Sequence, residues 1–170
     1  MIIDTHTHFG DPARPQGPLY RTERPDAYKE VAVPEGVTGT VVVESSSDIE
    51  DNQWTLDLAD EDPFIVGLVG HLNPYSEEYA RDLSRFSQDA RFCGIRIHMN
   101  CCPDYVRYEH PSLDDVSSRL IHSVHTLASE GLALDFHGRH EHLNYCIEFN
   151  RQISGLRIVI NHIAECRPMD

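Results

Sequence analysis

Residues 92–98, Phe-Cys-Gly-Ile-Arg-Ile-His, form a near-continuous apolar run that closes on a histidine. Such a run is typical of a strand buried on both faces, as in a parallel sheet covered by helices. Five similar runs surround it, so that the predicted strands are Ile2–His6, Gly39–Glu44, Phe64–His71, Phe92–His98, Leu132–His137 and Leu156–His162. Because longer polar and apolar segments alternate with these runs, the sequence predicts an α/β fold on a parallel sheet.

Segments with helical periodicity fill the intervals between the predicted strands. The predicted helices are Asp26–Val31, Asp48–Ala59, Ser76–Gln88, Leu113–Glu130 and His140–Ile153. In the fourth of these, Ser112 is the expected N-cap and Gly131 the left-handed stop. Its predicted buried stripe consists of Val116, Leu120, Val124 and Leu127. We expect the whole chain, residues 1–170, to form a single domain.

Composition excludes several classes of function. The 170 residues include 28 Asp and Glu against 14 Lys and Arg, a formal net charge of −14 that disfavours nucleic-acid binding as the main activity. No apolar stretch is long enough to span a membrane, and the start lacks the pattern of a secretory leader. The five cysteines show no CxxC spacing, which fits reduced thiols. We therefore expect a cytoplasmic protein.

Histidines mark the ends of the predicted strands. Five of the six strands end in, or within a residue of, His6 and His8, His71, His98, His137 or His162, whereas the second strand ends in Glu44. Because the carboxyl ends of parallel strands meet at one rim, where ligands bind in α/β folds, we expect these side chains to converge.

The spacing of His6 and His8 indicates a metal site. Side chains two residues apart on a strand share a face, so both imidazoles can chelate one ion. Imidazole suits Zn, and also Fe, Mn or Co, and a catalytic site needs about three protein ligands and an open position for water. His137 and His162 are the expected additional ligands or catalytic groups.

Arg96 and His98 are two residues apart on the fourth predicted strand, so their side chains share a face. A guanidinium binds a carboxylate with two hydrogen bonds, and Arg96 is therefore predicted to anchor the substrate. The alternative is a buried ion pair with Asp135 or Glu44. His98 and His71 are further expected substrate contacts. The remaining histidines are expected on the solvated surface; they are His110, His122, His125, His140 and His142.

Taken together, these segments resemble the amidohydrolase superfamily, in its branch of lactonases. The resembling pieces, which cover nearly the whole chain in order, are IIDTHTHF, GVTGTVVVES, CGIRIHMN, LALDFHG and LRIVINHIAE. The resemblance implies a TIM-type (β/α) barrel whose activated water attacks a lactone or amide carbonyl. It also implies that His6, His8, His137 and His162 are the metal-ligating histidines and that Arg96 binds the substrate carboxylate.

This sequence departs from the family pattern in two ways, which affect the expected metal site and the expected number of strands. No Lys or Glu ends the fourth strand, which favours one divalent ion, expected to be Zn, or a metal-free site over a binuclear one. The chain ends at Asp170, whereas a complete barrel has about 250 residues. We therefore expect a partial barrel of six strands that lacks strands seven and eight and the family's strand-eight aspartate. Glu44 and Asp135 are the first alternatives as a base.

The sequence thus predicts a hydrolase of small carboxylated lactones or amides, with activity in doubt without the strand-eight aspartate. Two alternatives remain open: a decarboxylase of the same superfamily, and a binding or assembly protein without turnover. The expected partners are a small acidic substrate and a second copy of the chain, bound through exposed sheet edges.

Overall fold

The computed structural model describes residues 1–14, 24–99 and 118–166. Its strands are β1 (Ile2–Thr7), β2 (Val37–Val43), β3 (Ile65–His71), β4 (Phe92–His98), β5 (Ala133–His137) and β6 (Arg157–Ile160). Its helices are α1 (Pro25–Ala32), α2 (Glu50–Glu61), α3 (Tyr79–Phe86), α4 (Ser118–Ser129) and α5 (Leu143–Gln152). The predicted alternation of strands and helices is confirmed.

The strands follow one another in the sheet in chain order, β1-β2-β3-β4-β5-β6. The chain divides into two compact units, which are described separately. The N-terminal unit comprises Met1–His71 and Phe86–Cys93, and the C-terminal unit comprises Leu72–Arg85 and Gly94–Asp170. Among the helices of the described residues, none is long and apolar enough to cross a membrane.

In the N-terminal unit, β2 lies between β1 and β3 and pairs with both in parallel. Irregular register between Asp4 and Thr7, an interval that contains His6, interrupts the β1–β2 ladder. The buried side chains of this unit come from β2, α2 and β3 and include Val42, Val43, Leu56, Leu58 and Leu68. The core therefore holds the carboxyl end of β2 firmly beside that of β1.

In the C-terminal unit, β5 lies between β4 and β6 and pairs with both in parallel. Arg96 lies opposite Asp135, and His98 lies opposite His137. Gly94 permits this register, because a Cβ at its position would collide with the carbonyl oxygen of Ala133. The first charged residue and the terminal histidine of each strand are thereby placed side by side.

The predicted stripe on α4 is confirmed where the structure describes it. Leu120, Val124 and Leu127 are all buried. Gly131 follows the helix with φ of 70°, the left-handed stop expected of it. Ser112 and Val116 lie outside the described residues.

The last strand differs from its predicted bounds. β6 ends at Ile160, two residues before His162, and the chain then enters a tight turn over Asn161–Glu165. The four residues from His162 to Glu165 have φ between 48° and 52°. The left-handed region costs a non-glycine residue about 1 kcal/mol or more. The hydrophobic pattern of the sequence predicts an extended strand here and does not predict this turn. His162 is consequently held by the turn and lies outside the strand.

Candidate functional site

His6 and His8 come together at the carboxyl end of β1. Their Nε2 atoms lie 3.2 Å apart, and their rings meet edge to face with centroids separated by 5.0 Å. Nδ1 of His8 lies 2.9 Å from the carbonyl oxygen of Val43, the last residue of β2. A carbonyl only accepts hydrogen bonds, so Nδ1 of His8 carries the proton and donates it. In the neutral imidazole, with its proton on Nδ1, Nε2 of His8 presents a lone pair beside His6.

This arrangement suits a metal ion. Two nitrogens bound tetrahedrally at about 2.0–2.1 Å from Zn lie roughly 3.3 Å apart, close to the observed separation. Ligating histidines usually donate their other ring N–H to a carbonyl or carboxylate, as His8 does. Within residues 1–14, 24–99 and 118–166, no group of three or more His, Cys, Asp or Glu side chains is arranged to hold an ion. His6 and His8 thus fit two positions of a metal site.

Asp4 supports the same strand from a position two residues earlier. Its carboxylate accepts hydrogen bonds from the backbone N–H of His6 at 3.0 Å and from the Tyr28 hydroxyl at 2.5 Å. Burial and the bond to Asp4 raise the pKa of Tyr28 to about 12. Because Tyr28 remains protonated at neutral pH, it is a permanent donor that holds Asp4 in place.

His71, an expected substrate contact, is positioned by Asn52 of α2. The side-chain amide of Asn52 donates to the carbonyl oxygen of His71 at 2.8 Å and accepts from its N–H at 2.9 Å. Asn52 is buried, so both hydrogen bonds are shielded from water. One helix side chain thus fixes the end of β3 as a neighbouring strand would.

Arg96 and Asp135 form a buried ion pair across β4 and β5. Nε of Arg96 lies 2.8 Å from Oδ1 of Asp135, and the two side chains are only 4% and 5% exposed. This is the structural alternative that the sequence left open for Arg96; its role as a substrate anchor stays a prediction. Glu44, the other alternative base, lines a small cavity with Ser46 and Asp51.

Three histidines gather at the ends of β4, β5 and β6. Nδ1 of His98 lies 2.9 Å from Nδ1 of His137, with the ring centroids 4.8 Å apart. The ring of His162 meets that of His137 at 5.0 Å between centroids. Nε2 of His137 lies 3.3 Å from Oε1 of Glu165, a residue that sequence reasoning missed. We call His98, His137, His162 and Glu165 the histidine cluster.

The surroundings of His137 lower its pKa. Burial is the largest cause, followed by the nearby charges of His98, Arg96 and His162, and the carboxylate of Glu165 opposes them. The imidazole is therefore neutral at neutral pH, with one ring nitrogen protonated and the other carrying a lone pair.

The predicted site residues accordingly fall into two groups. His6, His8 and His71 belong to the N-terminal unit, whereas Arg96 and the histidine cluster belong to the C-terminal unit. Within the first group His6 and His8 contact each other, and within the second the members of the histidine cluster do. The expected convergence of all four metal-ligating histidines on one ion stays a prediction.

One of the histidines expected on the surface is buried. His122, His125 and His140 are exposed, but His142 is 4% exposed and its Nδ1 accepts a hydrogen bond from the backbone N–H of Arg139 at 3.0 Å. Burial lowers the pKa of His142. The prediction failed because His142 belongs to a short 3₁₀ turn over His140–His142 that precedes α5, and this turn directs the ring inward. His110 lies outside the described residues.

Two supporting residues, Glu165 and Asn52, were missed for different reasons. Glu165 lies three residues after His162 in a polar segment with no periodic signal, and only the left-handed turn brings it to His137. Asn52 lies in the first turns of α2 among other polar residues, and its burial distinguishes it from them. The sequence alone does not show which asparagine of a helix is buried, so Asn52 could be identified only from the packing of α2.

Known proteins match this chain over nearly all of its length. A family model described as amidohydrolase matches residues 3–168. An L-fucono-1,5-lactonase from Burkholderia ambifaria is 29% identical over 171 residues, which cover 96% of this chain and 57% of that protein. The chain therefore spans a little more than half of this relative.

Solved structures show the same fold. An amidohydrolase from Burkholderia multivorans with bound Zn has a TM-score of 0.77 at 18% identity, over 95% of this chain and 57% of that one. A probable 2-pyrone-4,6-dicarboxylic acid hydrolase from Acinetobacter baumannii with bound citric acid has a TM-score of 0.70 at 16% identity, over 95% and 58% of the two chains. The predicted fold class, a partial TIM-type barrel of six parallel strands, is confirmed. The chain belongs to the amidohydrolase family.

Proposed function

We propose that this chain carries metal-binding residues of a lactone hydrolase. The observation that carries the proposal is the pairing of His6 and His8, with Nε2 atoms 3.2 Å apart and the tautomer of His8 set by Val43. The lactonase relative supports the reaction class, since it aligns with 96% of this chain. The proposed substrate is a small cyclic ester, which hydrolysis opens to a hydroxy acid.

In this proposal, His6 and His8 hold one divalent ion, with Zn the expected metal. When bound, such an ion lowers the pKa of a coordinated water and polarises a carbonyl oxygen. The carbonyl of Val43 and the carboxylate of Asp4 keep the end of β1 in the geometry that chelation needs. His137 and His162, the remaining predicted ligands, belong to the other unit, and their part in the metal site stays a prediction.

The ion pair of Arg96 with Asp135 favours an uncharged lactone substrate over a carboxylated one. A guanidinium already neutralised by a buried carboxylate offers little net positive charge to a second carboxylate, and the chain's net charge of −14 repels anions further. We therefore favour an uncharged hydroxylated lactone, the kind named for the Burkholderia ambifaria relative, over the dicarboxylated kind named for the Acinetobacter baumannii protein. A cytoplasmic location and the absence of nucleic-acid partners remain part of the same proposal.

The test is hydrolysis of two lactones by the purified chain, loaded with Zn or freed of metal by a chelator. Acid release is followed with a pH indicator for L-fucono-1,5-lactone and for 2-pyrone-4,6-dicarboxylate, against the spontaneous rate of each. We expect Zn-dependent acid release, faster for the uncharged lactone. A rate equal to the spontaneous one for both lactones contradicts the proposal.

Two matched variants test whether the activity depends on the proposed metal site. His8→Gln removes a proposed ligand, and His122→Gln removes an exposed histidine on α4. We expect the first variant to lose the Zn-dependent rate and the second to retain it. Release of CO2 from a carboxylated lactone, without net acid release, would instead support the decarboxylase alternative.

A further inference from the structure

Strand β1 contains one residue more than β2 in the interval where the first proposed metal ligand lies. In the parallel pairing of the two strands, Asp4 lies opposite Thr40, and Thr7 lies opposite Val42. β1 thus advances three residues where β2 advances two, and the interval contains His6. An extra residue of this kind is a β-bulge, which bends the strand and re-aims side chains, and bulges are rare between parallel strands.

Two threonine hydroxyls fasten this bulge to β2. The hydroxyl of Thr40 donates a hydrogen bond to the backbone carbonyl of Asp4 at 3.1 Å. The hydroxyl oxygens of Thr40 and Thr7 lie 2.8 Å apart. Both threonines are buried, so water does not compete for these hydrogen bonds. The contacts reach both ends of the bulge, because Asp4 precedes it and Thr7 follows it.

The direction of these hydrogen bonds follows from the single proton of each hydroxyl. Thr40 gives its proton to the carbonyl of Asp4, so it is the acceptor in its contact with Thr7. The carbonyl oxygen of Val41 is a second acceptor for Thr7, at the longer distance of 3.4 Å. The hydroxyl of Thr40 therefore joins the residue after the bulge to the residue before it.

Asp4 transmits this constraint to His6. Its carboxylate accepts a hydrogen bond from the backbone N–H of His6 at 3.0 Å and another from the hydroxyl of Tyr28. The carbonyl of Asp4 accepts from Thr40, so both acceptor groups of this residue are engaged. Because Asp4 is held from two sides, the backbone at His6 is held as well.

Chelation by two histidines of one strand needs such a constraint. Residues two apart on a regular strand are separated by about 6.6 Å along its axis, whereas the Nε2 atoms of His6 and His8 lie 3.2 Å apart. The rings therefore lean toward each other, and the bend at a bulge favours this arrangement. His8 is fixed separately by the carbonyl of Val43. The orientation of His6 thus decides whether the two nitrogens meet.

We infer that Thr40 is a positioning residue for the proposed pair of metal ligands. Through Asp4 and Thr7, its hydroxyl holds the ring of His6 toward that of His8. The inference rests on the proposed function, in which the two histidines hold one divalent ion, and it gives β2 a part in building a site whose ligands lie on β1. These contacts join protein groups only, so the orientation exists before a metal binds.

The first measurement is the affinity of the full chain for Zn, determined by competition with a chromophoric chelator. Thr40→Val keeps the size of the side chain and removes the hydroxyl. Removal of a group that orients a metal ligand typically costs about 10–100-fold in affinity, so we expect Thr40→Val to bind Zn at least about 10-fold more weakly. Thr40→Ser restores a hydroxyl and should recover most of the affinity.

Thr55→Val is the matched control. Thr55 is likewise a buried threonine whose hydroxyl donates to a backbone carbonyl, that of Asp51 at 2.9 Å. We expect Thr55→Val and Thr40→Val both to unfold at a lower urea concentration than the wild type, but only Thr40→Val to bind Zn more weakly. An unchanged Zn affinity in Thr40→Val, or an equal loss in Thr55→Val, overturns the inference.

The second measurement needs no metal. The ring protons of His6 and His8 that flank Nε2 should give a nuclear Overhauser effect in the metal-free wild type, because the two nitrogens lie 3.2 Å apart. We expect this effect to weaken in Thr40→Val and to persist in Thr55→Val. Its absence from the wild type, or its full persistence in Thr40→Val, overturns the inference.

The two measurements also separate this inference from the proposed function. A wild-type protein that binds no Zn contradicts the proposed function, and the contact between the rings of His6 and His8 then decides the role of Thr40. If Thr40→Val does not fold, Thr7→Val removes the other hydroxyl of the chain and is judged by the same two measurements.

Discussion

Arg96 and Asp135 occupy paired positions on adjacent parallel strands, with Nε of Arg96 2.8 Å from Oδ1 of Asp135 and both side chains almost fully buried. Burial of two charges is favourable only when each compensates the other. The pair therefore ties β4 to β5 at a point two residues before His98 and His137.

Removal of one partner should destabilise the protein strongly. In Arg96→Met, Asp135 would remain buried without its counter-charge, so we expect a loss of about 3–5 kcal/mol in the free energy of unfolding, measured with urea. The double variant Arg96→Met with Asp135→Leu should recover most of this loss. Arg151→Met, which breaks the exposed pair with Glu148, should cost less than about 1 kcal/mol. A stable Arg96→Met protein that binds only acidic ligands more weakly would support the substrate anchor.

Metal binding should depend on the β1 histidines. We expect one Zn per chain by elemental analysis of desalted protein. His6→Asn and His8→Gln should each weaken Zn binding by more than about 10-fold, the loss seen when even an outer-shell partner is removed. His122→Gln should bind Zn as the wild type does. Two ions per chain, or none, would contradict the mononuclear site.

The buried His142 should make stability depend on pH. Its pKa is lowered by burial, so the native state keeps it neutral while the unfolded state takes up a proton below about pH 6.5. Stability is therefore full above that pH and falls as the pH decreases toward the lowered pKa. We expect His142→Asn to lose less stability between about pH 7 and 5 than the wild type does in urea unfolding. His140→Asn, an exposed control, should follow the wild type, and equal slopes in all three proteins would contradict the assignment.

The left-handed turn offers a stabilising substitution. Ile163 is 82% exposed and has φ of 52°, so its replacement removes little packing. Asn tolerates this conformation far better than a β-branched residue, and we expect Ile163→Asn to raise the free energy of unfolding by about 1 kcal/mol. Val33→Asn is the control, because Val33 is a β-branched residue that is 51% exposed and has an ordinary φ of −64°. Destabilisation by Ile163→Asn would show that the turn has another conformation in solution.

The exposed strand β6 should promote self-association. Val159 and Ile160 are 50% and 47% exposed on the last strand of the sheet, where free backbone groups pair readily with another chain. We expect a concentration-dependent oligomer by sedimentation, shifted toward monomer by Val159→Lys. Val66→Lys changes a comparably exposed valine on β3, which is flanked by other strands, and should leave the oligomer intact. A monomer at all concentrations would contradict this prediction.

The amino-acid sequence by itself determined the six strands, the helices between them and the pairing of His6 with His8. These features depend on local periodicity: apolar runs specify buried strands, and residues two apart on a strand share a face. The parity of Arg96 with His98 was likewise visible, because a strand repeats every two residues.

Only the tertiary structure decided which partners these side chains meet. The register of β4 against β5 joins Arg96 to Asp135, and the packing of a 3₁₀ turn buries His142. The left-handed residues after β6 bring Glu165 to His137. Each of these contacts joins segments that are distant in sequence or depends on a rare backbone conformation, and neither leaves a periodic pattern in the chain.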